Sequence, residues 1–312
     1  MARGPRSESA DLDDFGPVHS AMKIGLNLPV MAPGLDRDTI YAWCRGIDEG
    51  PFSSLAVGER INFPNPEITV TLAAAAAWTS RVPLFYNVLV LPMHPEARAA
   101  KQIATLDVLS RGRVVLGVGV GAREDDYAAV GAPWDGRLGR LERQVTRMRR
   151  LWAGEPATDA TTAPIEPRPV QPGGPKILMG ALFPRAITRA AHFADGILGF
   201  SFTLAVEELS YAFEGARAAW AAAGRREKPR LVTGCWFALG AQGRAQMDDY
   251  LGRYLSFLGP SAAGMIPLVP TTDAQGLRDA VQRARDAGAD EIVLAPTTTD
   301  PAEIKRVEDL LF

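Results

Sequence analysis

Eight short apolar or β-branched runs, separated by stretches of helical periodicity, constrain this chain more than any other feature. The runs are Met22–Val30, Ser54–Glu59, Val82–Leu91, Arg113–Gly121, Lys176–Ala181, Gly196–Phe202, Leu231–Leu239 and Glu291–Ala295. They are never consecutive, which argues against hairpins and for a parallel sheet with crossover helices. Between them, Asp36–Glu49 places Ile40, Trp43, Cys44 and Ile47 on one face, and Pro95–Leu109 does the same with Ala99, Ile103 and Leu106. That is the spacing of a helix lying on a sheet. Leu141–Trp152, Ala186–Phe193, Leu204–Ala223, Gly243–Leu258 and Asp273–Ala287 continue the series, and Ala73–Ala77 is a helix interior. Asp36 and Asp273 stand where helix caps belong; Ser110–Gly112 and Gly288 stand where helices break. Val114–Val120 is apolar on both faces, as a covered parallel strand requires. Eight alternations across residues 22–312 point to an α/β fold, a closed (β/α)8 TIM barrel, with an open doubly wound sheet as the alternative.

Composition narrows the function classes. The 312 residues are 47% hydrophobic and 22% charged, which is globular. Lys plus Arg total 34 and Asp plus Glu 36, a net charge of −2 that does not suit a nucleic-acid partner. The longest apolar-plus-glycine run, about Val114 to Ala122, falls short of the ~18 residues needed to cross a bilayer, so no membrane partner is expected. Cys44 and Cys235 match no metal or redox spacing and are expected as free thiols. Residues 1–21 lack an apolar signal core and are expected as a solvated tail before one barrel domain, 22–312, in the cytoplasm. Gly154–Pro175, rich in Pro, Thr and Gly, is either a surface excursion or a flap near the active face.

In a barrel the strand C-termini carry the site. Here they are Asn27–Pro29, Glu59–Arg60, Asn87–Pro92, Gly119–Glu124, Gly180–Phe183, Ser201–Thr203, Leu239–Gly240 and Thr297–Thr299. Gly117, Gly119 and Gly121 alternate through the fourth strand, where a flat ligand or another backbone can come close. Their spacing matches a dinucleotide fingerprint only loosely. Such a turn belongs after the first strand and opens directly into a helix.

The order LDVLSRGRVVLGVGVG, Leu106–Gly121, together with GERINFPNPE from Gly58 and PKILMGALFPRAITRAAHFADGIL from Pro175, resembles the luciferase-like monooxygenase superfamily. The resemblance covers about Met22 to the C-terminus. It implies a barrel that binds FMN or coenzyme F420 across its mouth, oxidoreductase chemistry on a small organic substrate, a homodimer, and a separate flavin or F420 reductase in some members. It implies a bulge backing the ring at the end of the third strand, often with a non-proline cis peptide, here at Asn87 and Val88. The fourth-strand residues Gly119, Val120, Gly121 and Ala122 would lie beside the ring's pyrimidine edge. Gly180, Ala181, Leu182 and Phe183 would lead the phosphate to a helix N-terminus, where free N–H groups and Pro184 at the first helical position suit an anion. Asn27, at the end of the first strand, completes the cofactor set.

Two positions depart from the deazaflavin pattern. Glu59–Arg60 stands where many such members carry an acid–His pair, and Ala122 stands where many carry an acid, the nearest being Glu124. The catalytic candidates are therefore Glu59, Arg60 and His94. Arg60 can hold an anionic or carbonyl substrate or stabilise a reduced flavin, and His94 can donate a proton. The alternatives are an ion pair between Glu59 and Arg60 and an exposed loop histidine. His192 reads as structural and His19 lies in the tail. No metal signature or nucleophile elbow occurs. The six arginines of Arg137–Arg150 read as a solvated helix face. A barrel isomerase would need a lysine or paired carboxylates at strand ends. A non-catalytic barrel would have its mouth blocked by Phe183 or Trp236.

Overall fold

The computed structural model describes residues 22–312; the tail expected over residues 1–21 lies outside them. Eight parallel strands close into a barrel in sequence order: β1 (Lys23–Asn27), β2 (Leu55–Val57), β3 (Leu84–Leu89), β4 (Val114–Val118), β5 (Lys176–Gly180), β6 (Gly196–Leu198), β7 (Arg230–Phe237) and β8 (Glu291–Pro296). β1 closes on β8 from Lys23↔Glu291 to Leu26↔Leu294. The closed barrel, not the open sheet, is the architecture.

Eleven helices are described: α1 (Arg37–Glu49), α2 (Ile68–Trp78), α3 (Glu96–Ser110), α4 (Glu124–Ala129), α5 (Arg137–Trp152), α6 (Pro184–Ala190), α7 (Val206–Ala222), α8 (Gly243–Tyr254), α9 (Ser261–Met265), α10 (Ala274–Asp286) and α11 (Ala302–Leu311). Asp36 and Asp273 cap α1 and α10 as expected, accepting from the backbone N–H groups of Thr39 and Gly276. Eight helices follow the eight strands in turn; α4, α8 and α9 are extra. α8, α9 and short 3-10 turns at Ser256–Leu258 and Ile266–Leu268 form an insertion between β7 and α10. Thr271 ties this insertion to the end of β7, its backbone carbonyl accepting from Ala238 N–H and its hydroxyl donating to the Trp236 carbonyl at 2.5 Å.

The barrel interior is filled in layers. Ala56, Phe85, Leu178, Leu198, Val232 and Val293 meet in a buried cluster at mid-height. Below them Glu291 seals the amino-terminal end. Its carboxylate accepts from the Ser53 and Ser54 hydroxyls, each at 2.6 Å, and pairs with Arg230. Outside, the helices bury one continuous apolar layer that includes Trp43, Trp152 and Trp220. Cys44 and Cys235 are buried and unpaired, and burial pushes both thiols up to about 12.

The segment 154–175 is not a flap over the active face. It joins the end of α5 to the start of β5. Val170 and Gln171 donate their backbone N–H groups to the buried Asp107 carboxylate, and the Gln171 side chain donates to the Val114 carbonyl at the start of β4. Those partners lie at the amino-terminal end of the barrel, opposite the mouth. Of the six arginines of α5, Arg143 lies on a solvated face as expected, while three near the helix end tie down neighbouring segments. Arg147 holds the Pro156 and Ala157 carbonyls, Arg149 reaches Asp195, and Arg150 pairs with Glu155.

The glycines at and just past the end of β4 let β3 come close. A Cβ at Gly117 would lie 2.2 Å from the Tyr86 carbonyl oxygen, and one at Gly119 2.8 Å from Val88 Cγ2. Gly117→Ala is expected to lower stability by about 1–3 kcal/mol, the usual cost of overpacking. Gly215→Ala, in mid-α7 with open space at its Cβ, is expected to raise it by about 0.5–1 kcal/mol. Chemical denaturation of the two variants checks both signs.

Candidate active site

The site is built where β3 breaks its register. β3 pairs with β4 as Phe85↔Val115 and Tyr86↔Leu116, then slips before Leu89↔Val118. The Asn87–Val88 peptide is cis, so the expected bulge falls on the expected residues. The half-buried Val88 is flanked by two glycines: a Cβ at Gly119 would meet its Cγ2, and one at Gly180 would stand 3.8 Å from its Cγ1. Asn87 turns the other way and donates from Nδ2 to Asn27 Oδ1 at 3.3 Å. Asn27, Asn87, Val88, Gly119 and Gly180 thus come together. Val120, Gly121 and Ala122 continue along the rim. Gly121 takes φ +63°, with Val90 3.0 Å from its would-be Cβ, and the Val120 carbonyl accepts from Tyr127 OH at 2.7 Å.

Beyond β5, Ala181 N–H donates to the Leu198 carbonyl. The next two N–H groups, of Leu182 and Phe183, have no acceptor among the described residues, and they precede Pro184 at the first position of α6. Phe183 is 75% exposed and blocks nothing. Trp236 is buried and belongs to an aromatic wall. Its ring meets Phe200 at 4.3 Å, Phe202 at 5.1 Å and Tyr254 at 5.7 Å between centroids, all edge-on.

Glu59 and Arg60 are both buried, but they are not each other's partners. Glu59 accepts from Val90 N–H at 2.6 Å through Oε2 and meets His94 Nε2 at 2.8 Å through Oε1. An acid–His pair is thus assembled from two loops rather than from adjacent residues. Burial pulls the His94 pKa down, but the hydrogen bond and charge of Glu59 outweigh it, and the net shift is upward. Gln144 fixes the ring's backbone by donating to the His94 carbonyl at 2.7 Å. Arg60 Nε donates to Asp126 Oδ2 at 2.8 Å, while Asp126 Oδ1 accepts from the Ile61 and Asn62 N–H groups. Arg60 also lies over the Phe63 ring, 4.9 Å from its centroid.

Asp126 is the buried carboxylate of this candidate site that the sequence reading missed. It stands in an acidic run, Glu124–Asp126, whose three members look alike, and only Asp126 is buried. Arg123 and Tyr254 were missed as well. Arg123 Nη2 donates to the Tyr254 carbonyl at 2.9 Å, and its guanidinium lies between the Tyr254 and Phe257 rings at 4.6 and 4.0 Å. His192 is exposed just past α6. It borders a groove of about 630 Å³ between α6 and α7, on the barrel's flank and away from the strand ends where barrel chemistry sits. Among the described residues, no group of three or more His, Cys, Asp or Glu could hold a metal ion, and no helix is long and apolar enough to cross a membrane.

Comparison with known proteins shows the family and the fold. The profile described as luciferase-like monooxygenase matches residues 22–303. An uncharacterised protein of Mycobacterium tuberculosis is 35% identical over 169 residues, 52% of this chain and 59% of that relative. An F420-dependent glucose-6-phosphate dehydrogenase of Intrasporangium calvum is 38% identical over 125 residues, 34% of this chain and 37% of the relative. The chain thus matches little more than half the length of one relative and about a third of the other. The structure of an F420-dependent secondary alcohol dehydrogenase with an F420–acetone adduct superposes with a TM-score of 0.77 at 17% identity. It covers 94% of this chain and 98% of that one, and the likeness shows the fold.

Two outcomes follow from the carboxylates. Asp126→Asn is expected to cost about 3–5 kcal/mol, because it strands a buried guanidinium, and thermal melts check this. The raised His94 pKa means that the folded state holds the proton more tightly than the unfolded chain does. The stability from this pair is therefore full below the ordinary histidine value of 6.5 and is lost as pH rises through the raised one. Melting temperature followed from pH about 5.5 to 8.5 should show that loss in the native protein and not in Glu59→Gln.

Proposed function

The chain belongs to the luciferase-like monooxygenase family, and from that premise we propose that it is an F420-dependent oxidoreductase acting on a small organic substrate. The observation that carries the reading is the Val88 bulge flanked by Gly119 and Gly180, an apolar ledge with no side chain on either flank. A flat tricyclic ring fits such a ledge. The Leu182 and Phe183 N–H groups, free of protein acceptors and ahead of α6, suit its phosphate. Similarity to the Intrasporangium calvum dehydrogenase supports F420 over FMN.

Bound there, the deazaflavin supplies hydride chemistry; the side chains supply the rest. Asn27 and Asn87, bonded to each other, offer amide groups at the ring's edge. Asp126 fixes Arg60 through Nε, and the two terminal amino groups of Arg60 have no acceptor among the described residues. They are available to stabilise negative charge that develops in the mouth. His94, held by Glu59, keeps a proton at Nε2 close to the β3 turn. The aromatic wall around Trp236 excludes water from one side.

Fluorescence titration of the purified protein with F420 and with FMN tests the proposal. Tight F420 binding with weak FMN binding is expected. The reverse would make the chain an FMN enzyme and direct the search to oxygen uptake, and binding of neither would overturn the reading. Arg60→Ala is expected to lower kcat by about 10²-fold or more, as loss of one charge-stabilising donor does, while F420 affinity changes little. Single-turnover rates set beside the titrations separate these effects.

A further inference from the structure

Arg123 is a cation without an anion. Among the described residues it belongs to no ion pair, and its Nε is buried with no hydrogen-bond partner. Its one acceptor is a neutral carbonyl, that of Tyr254. Burial lowers its pKa, and the nearby positive charge of Arg60 lowers it further. The nearby carboxylate of Asp126 favours the charged guanidinium from a distance but does not pair with it, since it spends one oxygen on Arg60 and the other on two backbone N–H groups. Glu124 and Asp125 are exposed in the first turn of α4 and pair with no cation. The Glu59–His94 pair is neutral overall when both are charged.

The two guanidiniums are joined by a chain of ring contacts. Arg60 lies on Phe63, Phe63 meets Tyr254 edge-on at 5.9 Å between centroids, and Arg123 lies on Tyr254. Tyr254 also borders the Trp236 wall. A guanidinium that lacks a carboxylate and is held rigid between two rings is set up for charge-assisted, two-pronged recognition of a carboxylate.

We propose that the substrate of this mouth is an organic acid whose carboxylate is bound by Arg123, with Arg60 beside it, and whose apolar body lies on the aromatic wall of Phe200, Phe202, Trp236 and Tyr254. The proposal rests on the oxidoreductase reading and names the substrate class for the same site. A phosphate of the cofactor has the same chemistry as a ligand for Arg123, and the test separates the two.

The F420-loaded protein is titrated calorimetrically with 2-naphthoate and decanoate and with their neutral amides, for the native chain, Arg123→Gln and Arg123→Lys. In the native protein at least one acid should bind tenfold or more tightly than its amide, and the preference should weaken as salt is raised. Arg123→Gln should abolish the preference and leave F420 affinity within about twofold. Arg123→Lys, which keeps the charge and loses the fork, should retain part of it. The proposal is overturned if neither acid outcompetes its amide, or if Arg123→Gln keeps the preference and only lowers the melting temperature. It is also overturned if Arg123→Gln weakens F420 binding more than acid binding, which would give this arginine to the cofactor's phosphate. Failure of F420 to bind the native chain would instead strike the oxidoreductase reading.

Discussion

The approach of β3 to β4 governs the rest of the molecule. Two parallel backbones cannot come within 2.2 Å of a Cβ position unless no Cβ is there, and Gly117 meets the Tyr86 carbonyl at that distance. The same freedom at Gly119 lets β3 slip its register and carry Val88 onto the ledge. Gly121, in the left-handed region against Val90, then turns the chain toward α4. A barrel closes only if each neighbouring pair keeps its stagger, so one irregular pair is tolerated because the other seven hold their registers.

Above the ledge, order comes from polar ties between loops. Asp126 stitches the β2 loop to the β4 loop with one side-chain and two backbone hydrogen bonds. Arg123 stitches the β4 loop to the β7 insertion. Glu59 stitches β2 to the turn after β3. Each tie is buried or half-buried, where losing one partner costs more than making the bond gains. The mouth is therefore shaped by a few carboxylates and guanidiniums, while the aromatic wall fills the space they define.

Local features of the fold were plain in the sequence; long-range partnerships were not. The eight strands lie where periodicity and β-branched runs place them, because a covered parallel strand needs a continuous apolar segment. α11 was legible too, since Ile304, Val307 and Leu311 recur on one face after Pro301, but its place at the C-terminus hid it. The bulge at Asn87–Val88 came from the family resemblance; nothing in the residue types Asn and Val demands it. The pairing of Glu59 with His94 instead of Arg60, and of Arg60 with Asp126, spans 35 and 66 residues. Adjacent charges suggested the wrong partner because adjacent residues on an extended chain point to opposite sides. The 154–175 segment, left open between a surface excursion and a flap, proved to be the former. Its composition marks a loop, but only topology says to which end of the barrel the loop belongs. The segment that reaches across to the β4 loop is instead the β7 insertion, whose helical sequence resembles that of an ordinary barrel helix.

The Glu291 plug has a kinetic consequence. With Ser53, Ser54 and Arg230 closing the lower end, and the Phe85 layer packed above them, the barrel has no passage through its floor. Everything that reaches Val88 arrives and departs by one doorway. A molecule lying deeper in such a chamber must load first and unload last. Turnover here should obey a strict queue, with the deeper ligand entering first and leaving last.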